Sequence, residues 1–398
     1  MTSRLFLNDC GIVSPLGWGK QATAQALAAG RRDGLVPRDD LLVDRSVIVG
    51  AVAGVLPAPP DALADLDCRN NRLMLVALKE IAGSVAVAAE RYGRHRVAVV
   101  LGTSTSGIAE GEAALSQFRA TGAWPGDYCY SQQETGNLAE FAARALGLTG
   151  PAYTVATACS SSAKVFASGR RLIRAGFADA VVVGGADTLC RMTLNGFGAL
   201  QALSRDRCNP FSVNRDGITI GEGAAAFLLT TEAGPVQFLG IGETSDAHHP
   251  TAPDPEGGGA RLAMQQALDD AELAATDIDY VNLHGTATPL NDAMESKAIA
   301  GIFDRGTRCS STKAMTGHML GGTGGCEAAF LWLTLNKAAS SGILPPHIWD
   351  GQRDPTLPPL NLIGPGTPVP DRERLAMLSN SFGFGGSNVA MILGRGWT

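Results

Sequence analysis

Cys159 lies in Ala156-Thr157-Ala158-Cys159-Ser160-Ser161-Ser162, between an apolar tetrapeptide, Ala152-Tyr153-Thr154-Val155, and a stretch of small and apolar residues closing at Gly176. That order predicts a short buried strand, a turn, and a helix ended by glycine. A thiol at the junction faces the positive end of the helix dipole, which favours thiolate over thiol. A free thiol titrates near ~8.5, so such a shift would suit a nucleophile at neutral pH. The plain alternative is a small buried hydrophobe.

Three further segments carry chemistry-bearing residues. His284 stands in Asn282-Leu283-His284-Gly285-Thr286-Ala287-Thr288-Pro289, directly after the strand-like Tyr280-Val281-Asn282-Leu283. His318 stands in Ser311-Thr312-Lys313-Ala314-Met315-Thr316-Gly317-His318-Met319-Leu320-Gly321. The last segment is Ser379-Asn380-Ser381-Phe382-Gly383-Phe384-Gly385-Gly386-Ser387-Asn388. A lone histidine is more often structural. Two of the chain's six, each beside glycine and accompanied by a candidate nucleophile, favour a catalytic set.

Positioning such groups takes a framework, and the pattern around them is α/β. Short Val/Ile/Leu/Ala runs (97–101, 180–183, 225–229) read as buried central strands and alternate with helical stretches at 72–90, 137–146 and 161–175. A weak internal repeat pairs Leu5–Ser14 with Gln237–Ser245, and Gly221–Leu229 with Gly385–Leu393. It predicts two similar halves, 1–234 with the cysteine and 235–398 with both histidines. The proline-rich 345–370 stretch reads as a surface excursion.

Composition sets outer limits. The chain has 398 residues, 45% hydrophobic and 18% charged, which suits a globular protein with extensive burial. Its 49 glycines exceed the ~7% average and cluster where backbone must approach backbone or ligand. A net charge of −6 without Lys/Arg runs argues against nucleic acid and membrane surfaces. Eight scattered cysteines form no CxxC pair, so neither a metal site nor a disulfide framework is expected. No signal-peptide pattern is seen, and the most apolar segment, 328–335, is too short to span a bilayer. These features predict a cytoplasmic protein.

The four segments, in this order and at this spacing, resemble the β-ketoacyl-acyl-carrier-protein synthases. Asp216-Gly217, Gly221-Glu222-Gly223 and Gly11-Ile12-Val13-Ser14-Pro15-Leu16-Gly17 extend the likeness over essentially the whole chain. The resemblance implies the thiolase fold, an α/β architecture of duplicated halves in α-β-α-β-α layers, with an extensive dimer interface. It implies that Cys159 stores an acyl group as a thioester, which is elongated by decarboxylative condensation with a malonyl thioester. His284 and His318 would bind the malonyl thioester oxygen, and the N–H groups of Cys159 and Phe384 would form the oxyanion hole. Phe384, between glycines, would act as a gate. Lys313, supported by Glu327, would hold the hydrogen-bond network. Thr286 and Thr288 would bind the phosphopantetheine arm. That arm belongs to the acyl carrier protein, so no cofactor of the chain's own is implied.

Departures from the family pattern weigh against housekeeping fatty-acid elongation. Gly321-Gly322-Thr323-Gly324-Gly325-Cys326 replaces the usual Gly-Ala-Ala-Gly-Ala wording, and Asn291-Asp292 replaces Gly-Asp. With Leu101–Ile108, they look similar to ketosynthases of bacterial aryl-polyene pathways. A thiolase would carry a second cysteine near the C-terminus, a chain-length-factor subunit would lack the nucleophile, and a synthase starting from acyl-coenzyme A would show Cys-His-Asn. An acidic carrier protein must dock by local positive charge; Arg69, Arg72, Arg205 and Arg207 are the candidates. The second subunit is either the same chain or a ketosynthase-like homologue.

Overall fold

A computed structural model describes residues 4–397. Ten strands make up most of its main sheet: β1 (Leu5–Ser14), β2 (Val97–Gly102), β3 (Ala152–Val155), β4 (Ala180–Asp187), β5 (Gly223–Thr230), β6 (Val236–Ser245), β7 (Tyr280–Asn282), β8 (Arg308–Ser310), β9 (Leu375–Gly383) and β10 (Ser387–Arg395), with the two-residue strands Gly17–Trp18 and Asn361–Leu362 added at β1 and β8. The first five lie in the order β3-β2-β4-β5-β1, the second five in the order β8-β7-β9-β10-β6. In each set two parallel pairings are followed by two antiparallel ones. β1 and β6 join the sets where Leu5–Leu7 face Val236–Phe238. The segments that repeat in the sequence thus occupy equivalent places, β1 with β6 and β5 with β10.

Helices α1 (Arg69–Tyr92), α2 (Asn137–Leu146), α3 (Ser161–Arg174), α4 (Gly258–Ala271), α5 (Pro289–Ala300) and α6 (Thr323–Leu335) complete the layers. α1 and α2 cover the outer face of the first sheet, α4 and α5 that of the second, and α3 packs with α6 in between. Every residue of α6 is buried, as a helix apolar all round must be. This is the five-layered duplicated architecture. Among the described residues, no helix is long and apolar enough to cross a membrane.

Two expectations change. β3 is a strand but not a buried one: it is the last of its sheet, and Ala152 and Tyr153 are exposed because nothing among the described residues covers that edge. The 345–370 stretch is not all surface. Leu344–His347 is buried, and Asn361–Leu362 pairs with β8. His347 is 2% exposed; its Nδ1 accepts from the Ser311 N–H at 3.1 Å and its Nε2 donates to the Pro210 carbonyl at 3.1 Å.

Candidate active site

The nucleophile's turn is strained. Ala158 has φ of 52°, in the left-handed region that side chains disfavour, and Cys159 follows at the head of α3. The turn is closed by the Thr157 N–H donating to Ser161 Oγ at 2.8 Å and by Ser161 Oγ donating to the Ala158 carbonyl at 2.6 Å. Small hydroxyl residues there satisfy backbone groups locally, which explains the Ser-rich run. Cys159 is 7% exposed. Burial pushes its thiol up to about 11, against the pull of Lys313 and of the Phe384 and Cys159 N–H groups. Desolvation outweighs those pulls, so burial shifts the thiol upward where the local strand–turn–helix pattern pointed to a downward shift.

The second half supplies the imidazoles. Sγ of Cys159 and a ring nitrogen of His284 and of His318 lie within 4.8 Å of one another. His318 Nε2 is 3.0 Å from Sγ, and the two imidazole rings meet edge to face at 5.2 Å. Burial, then the charge of Lys313, holds both histidines well below their ordinary pKa, so both are neutral at pH 7. A Cys-His-His set could ligate a metal, but the Lys313 cation beside it opposes a dication.

Backbone contacts hold the two histidine loops. The N–H groups of His284 and Gly285 both donate to Glu295 at 2.7 Å, and the Phe211 N–H donates to Asp292 at 2.7 Å. Burial raises Glu295 to about 7 and Asp292 to about 6, with those N–H bonds pulling back. The His318 N–H donates to the Thr219 carbonyl at 2.7 Å, and the His318 carbonyl accepts from Gly221 at 2.8 Å. Lys313 and Glu327 form an ion pair of 2.7 Å, each side chain 1% exposed. Removing one partner of such a pair leaves the other charge buried and costs about 3–5 kcal/mol.

Gly383 places the fourth segment against the nucleophile. A Cβ there would come 3.0 Å from the Thr157 carbonyl and 3.3 Å from the Cys159 nitrogen. That close approach brings the Phe384 backbone beside the nucleophile, where its N–H opposes the rise of the Cys159 pKa. Phe384 is 38% exposed, and its ring leans on Phe197 at 5.4 Å. Gly385 and Gly386, with φ of 80° and 78°, turn the chain away behind it. Cys159, His284, His318 and Phe384 open onto one cavity of about 290 Å³, with Thr286 and Thr288 in its wall. Their hydroxyls are 3.0 Å apart.

The four candidate arginines divide. Arg69 makes a two-pronged pair with buried Glu222 (2.6 and 2.8 Å), and Arg72 does so with Asp67 (2.6 and 2.7 Å). Neither lines the cavity. Arg205 and Arg207 are exposed and follow Gln201 and Ala202, which do line it.

Several functional positions escaped the sequence reading. Asp187, fully buried, accepts from Thr103 Oγ1 (2.6 Å), Ser104 N–H (2.9 Å), Thr105 N–H (2.8 Å) and Gly322 N–H (3.2 Å), tying 103–105 to the loop after His318. A carboxylate closing a run of buried valines was its signal. Asp292 and Glu295 sit three apart on α5, one helical face turned to the His284 loop. Thr323 showed only as part of the departure at 321–326, and His347, which packs away from the chemistry, had no signal.

Residues 59–233 match the model of the beta-ketoacyl synthase N-terminal domain, and 237–348 that of its C-terminal domain. The chain is 35% identical over 264 residues to the 3-oxoacyl-[acyl-carrier-protein] synthase 2 of Staphylococcus aureus, covering 62% of this chain and 64% of that protein. The match thus spans less than two thirds of that relative. Among solved structures, the ketosynthase ApeO in complex with its chain length factor ApeC, from Xenorhabdus doucetiae, superposes with a TM-score of 0.94 at 44% identity over 99% of this chain and 98% of that one. The ishigamide ketosynthase/chain length factor gives a TM-score of 0.89 at 27% identity, over 99% of this chain and 100% of that one.

Proposed function

The chain belongs to the beta-ketoacyl synthase family, and from that premise we propose that it condenses a malonyl thioester with an acyl group held on Cys159, elongating a fatty-acid, polyene or polyketide chain. The observation that carries this reading is the convergence of one buried sulfur and two buried, neutral imidazoles within 4.8 Å of one another at the wall of a single cavity.

Sγ attacks the acyl thioester, the bond to the carrier sulfur breaks, and the thiol proton ends on the departing carrier thiol. The Cys159 and Phe384 N–H groups receive the oxyanion of that step. The malonyl thioester oxygen then lies against His284 and His318, which donate hydrogen bonds as the carboxylate leaves as carbon dioxide. The enolate carbon attacks the stored acyl carbon, and Cys159 departs as a thiolate that takes up a proton from solvent to restore the thiol. Lys313, held by Glu327, adds fixed positive charge near the developing anion.

The substrates arrive on the phosphopantetheine arm of an acyl carrier protein, with Thr286 and Thr288 placed to bond it and Arg205 and Arg207 on the approach. No free cofactor enters the scheme. The exposed edge of β3 offers unpaired backbone groups to a second subunit, either this same chain or a ketosynthase-like homologue. The likeness to ApeO supports a specialised pathway of the aryl-polyene type. Retention of Cys159 with both histidines favours a ketosynthase over a non-catalytic chain-length-factor role. The halves 1–234 and 235–398 and a cytoplasmic location complete the reading.

Intact-mass analysis after incubation with carrier proteins charged with acyl chains of graded length tests it. An acyl adduct on the wild type, absent from Cys159→Ala, is expected. Failure of every charged carrier to label the wild type would sink the proposal.

A further inference from the structure

His318 is the one catalytic candidate whose two ring nitrogens both have partners. Nε2 is 3.0 Å from Cys159 Sγ, and Nδ1 is 2.9 Å from Thr323 Oγ1. His284, by contrast, has a buried Nδ1 with no partner among the described residues. Thr323 opens α6, is fully buried, and stands where the chain departs from the family's usual alanine. Among the described residues, its hydroxyl makes no hydrogen bond other than the one to His318.

A neutral imidazole carries one ring proton, so two arrangements compete. With the proton on Nδ1, that N–H donates to Thr323 Oγ1, and the threonine's own proton is left without an acceptor among the described residues. With the proton on Nε2, the hydroxyl donates to Nδ1 and the Nε2–H points at Sγ. Only the thiol proton then lacks a partner, and S–H is a weak donor that loses little. An orphaned buried hydroxyl is worth roughly a tenfold or greater bias in the tautomer ratio.

We propose that Thr323 is a positioning residue that fixes His318 as the Nε2–H tautomer, so that its single N–H faces the sulfur and the thioester oxygen. A hydrogen-bond donor is what enolate formation needs at that point; the opposite tautomer would present a lone pair to a developing anion. The tautomer rests on the hydrogen-bond geometry around a neutral imidazole, whereas its consequence for rate rests on the condensation reading above.

The test compares Thr323→Val, which keeps the shape and removes the hydroxyl, with Thr323→Ser, which restores it. ¹⁵N-histidine NMR of the intact protein reads the tautomer from the ring signal missing in His318→Ala, alongside malonyl-carrier-protein decarboxylation and melting temperature. Valine is expected to remove that bias, so that the Nδ1–H form becomes populated beside the Nε2–H form and decarboxylation slows about twofold, in step with the Nε2–H fraction lost, with serine restoring both. An unchanged tautomer in the valine variant overturns the proposal, as does an equal loss in both variants tracking a lowered melting temperature. A wild type that decarboxylates no malonyl thioester but loses its tautomer on valine substitution would leave the inference standing and remove the condensation reading.

Discussion

Burial governs the chemistry of individual residues here. It lifts the Cys159 thiol to about 11 and keeps His284 and His318 neutral. Cys159→Ala is expected to abolish acyl-enzyme formation while leaving the fold intact, since only a small buried group is removed. His284→Ala and His318→Ala should still acylate but lose malonyl decarboxylation by about 10²–10³-fold, the usual cost of one oxyanion donor. Single-turnover mass spectrometry with separate acyl and malonyl carriers reads both steps; unimpaired decarboxylation in either variant would remove that histidine from the enolate. His347 offers a pH test away from the chemistry. In the unfolded chain it takes up a proton near ~6.5, but in the fold not until about 4, chiefly because it is buried. Its stabilising contribution is complete above the unfolded value and is lost as pH falls from there toward 4. The loss is on the order of 3 kcal/mol. Urea unfolding at pH 7.5 and 4.5 should show that extra loss in the wild type but not in His347→Gln, which keeps an acceptor and a donor without titrating. Equal losses in the two proteins would contradict the assignment.

Secondary-structure elements bring the two halves' chemistry together. α3 follows β3 and α6 follows β8 at equivalent places, and the two pack together at the centre of the molecule. Cys159 sits at the head of one, and His318 with Thr323 at the head of the other. The β9–β10 turn then lays Gly383 on the nucleophile's backbone and leaves the Phe384 ring half-exposed over the cavity. That ring gates access if its position controls loading. Phe384→Ala should change the order or selectivity of acyl loading severalfold and shift the melting temperature little, because a half-exposed ring contributes less than the about 3–5 kcal/mol of a core phenylalanine. Competition between short and long acyl carriers, with a thermal melt alongside, separates the cases. A large drop in melting temperature with unchanged selectivity would make the ring structural.

At the scale of the whole molecule, charge decides how an acidic carrier approaches a chain of net charge −6. Arg69 and Arg72 spend their guanidinium groups on Glu222 and Asp67, so their role reads as architectural. Arg205 and Arg207 stand exposed just beyond the cavity lining. Reversing both charges should slow acylation from the carrier protein while sparing a small pantetheine thioester. The difference should shrink as salt rises, because exposed charges are screened over ~10 Å at about 0.1 M ionic strength. Equal impairment with both substrates would point to damage in the site, and no impairment would move the docking surface elsewhere.

Local order and pattern were enough to read the strand–turn–helix around Cys159, the glycine-flanked histidine loops, the α/β alternation and the equivalence of β1 with β6 and β5 with β10. Each is written in neighbouring residues: turn chemistry, apolar period, glycine at close approaches. Residues far apart in the chain decided the rest. The 3.0 Å contact between Cys159 and His318 spans 159 positions, and the Asp187 bonds that steady the loop after His318 span 135. Whether β3 is buried depends on what lies beyond the sheet's edge, which no tetrapeptide encodes. The direction of the Cys159 shift likewise depended on how much water the fold removes, a quantity summed over residues far apart in the chain, and that sum outweighed the pull of Lys313 and the neighbouring N–H groups.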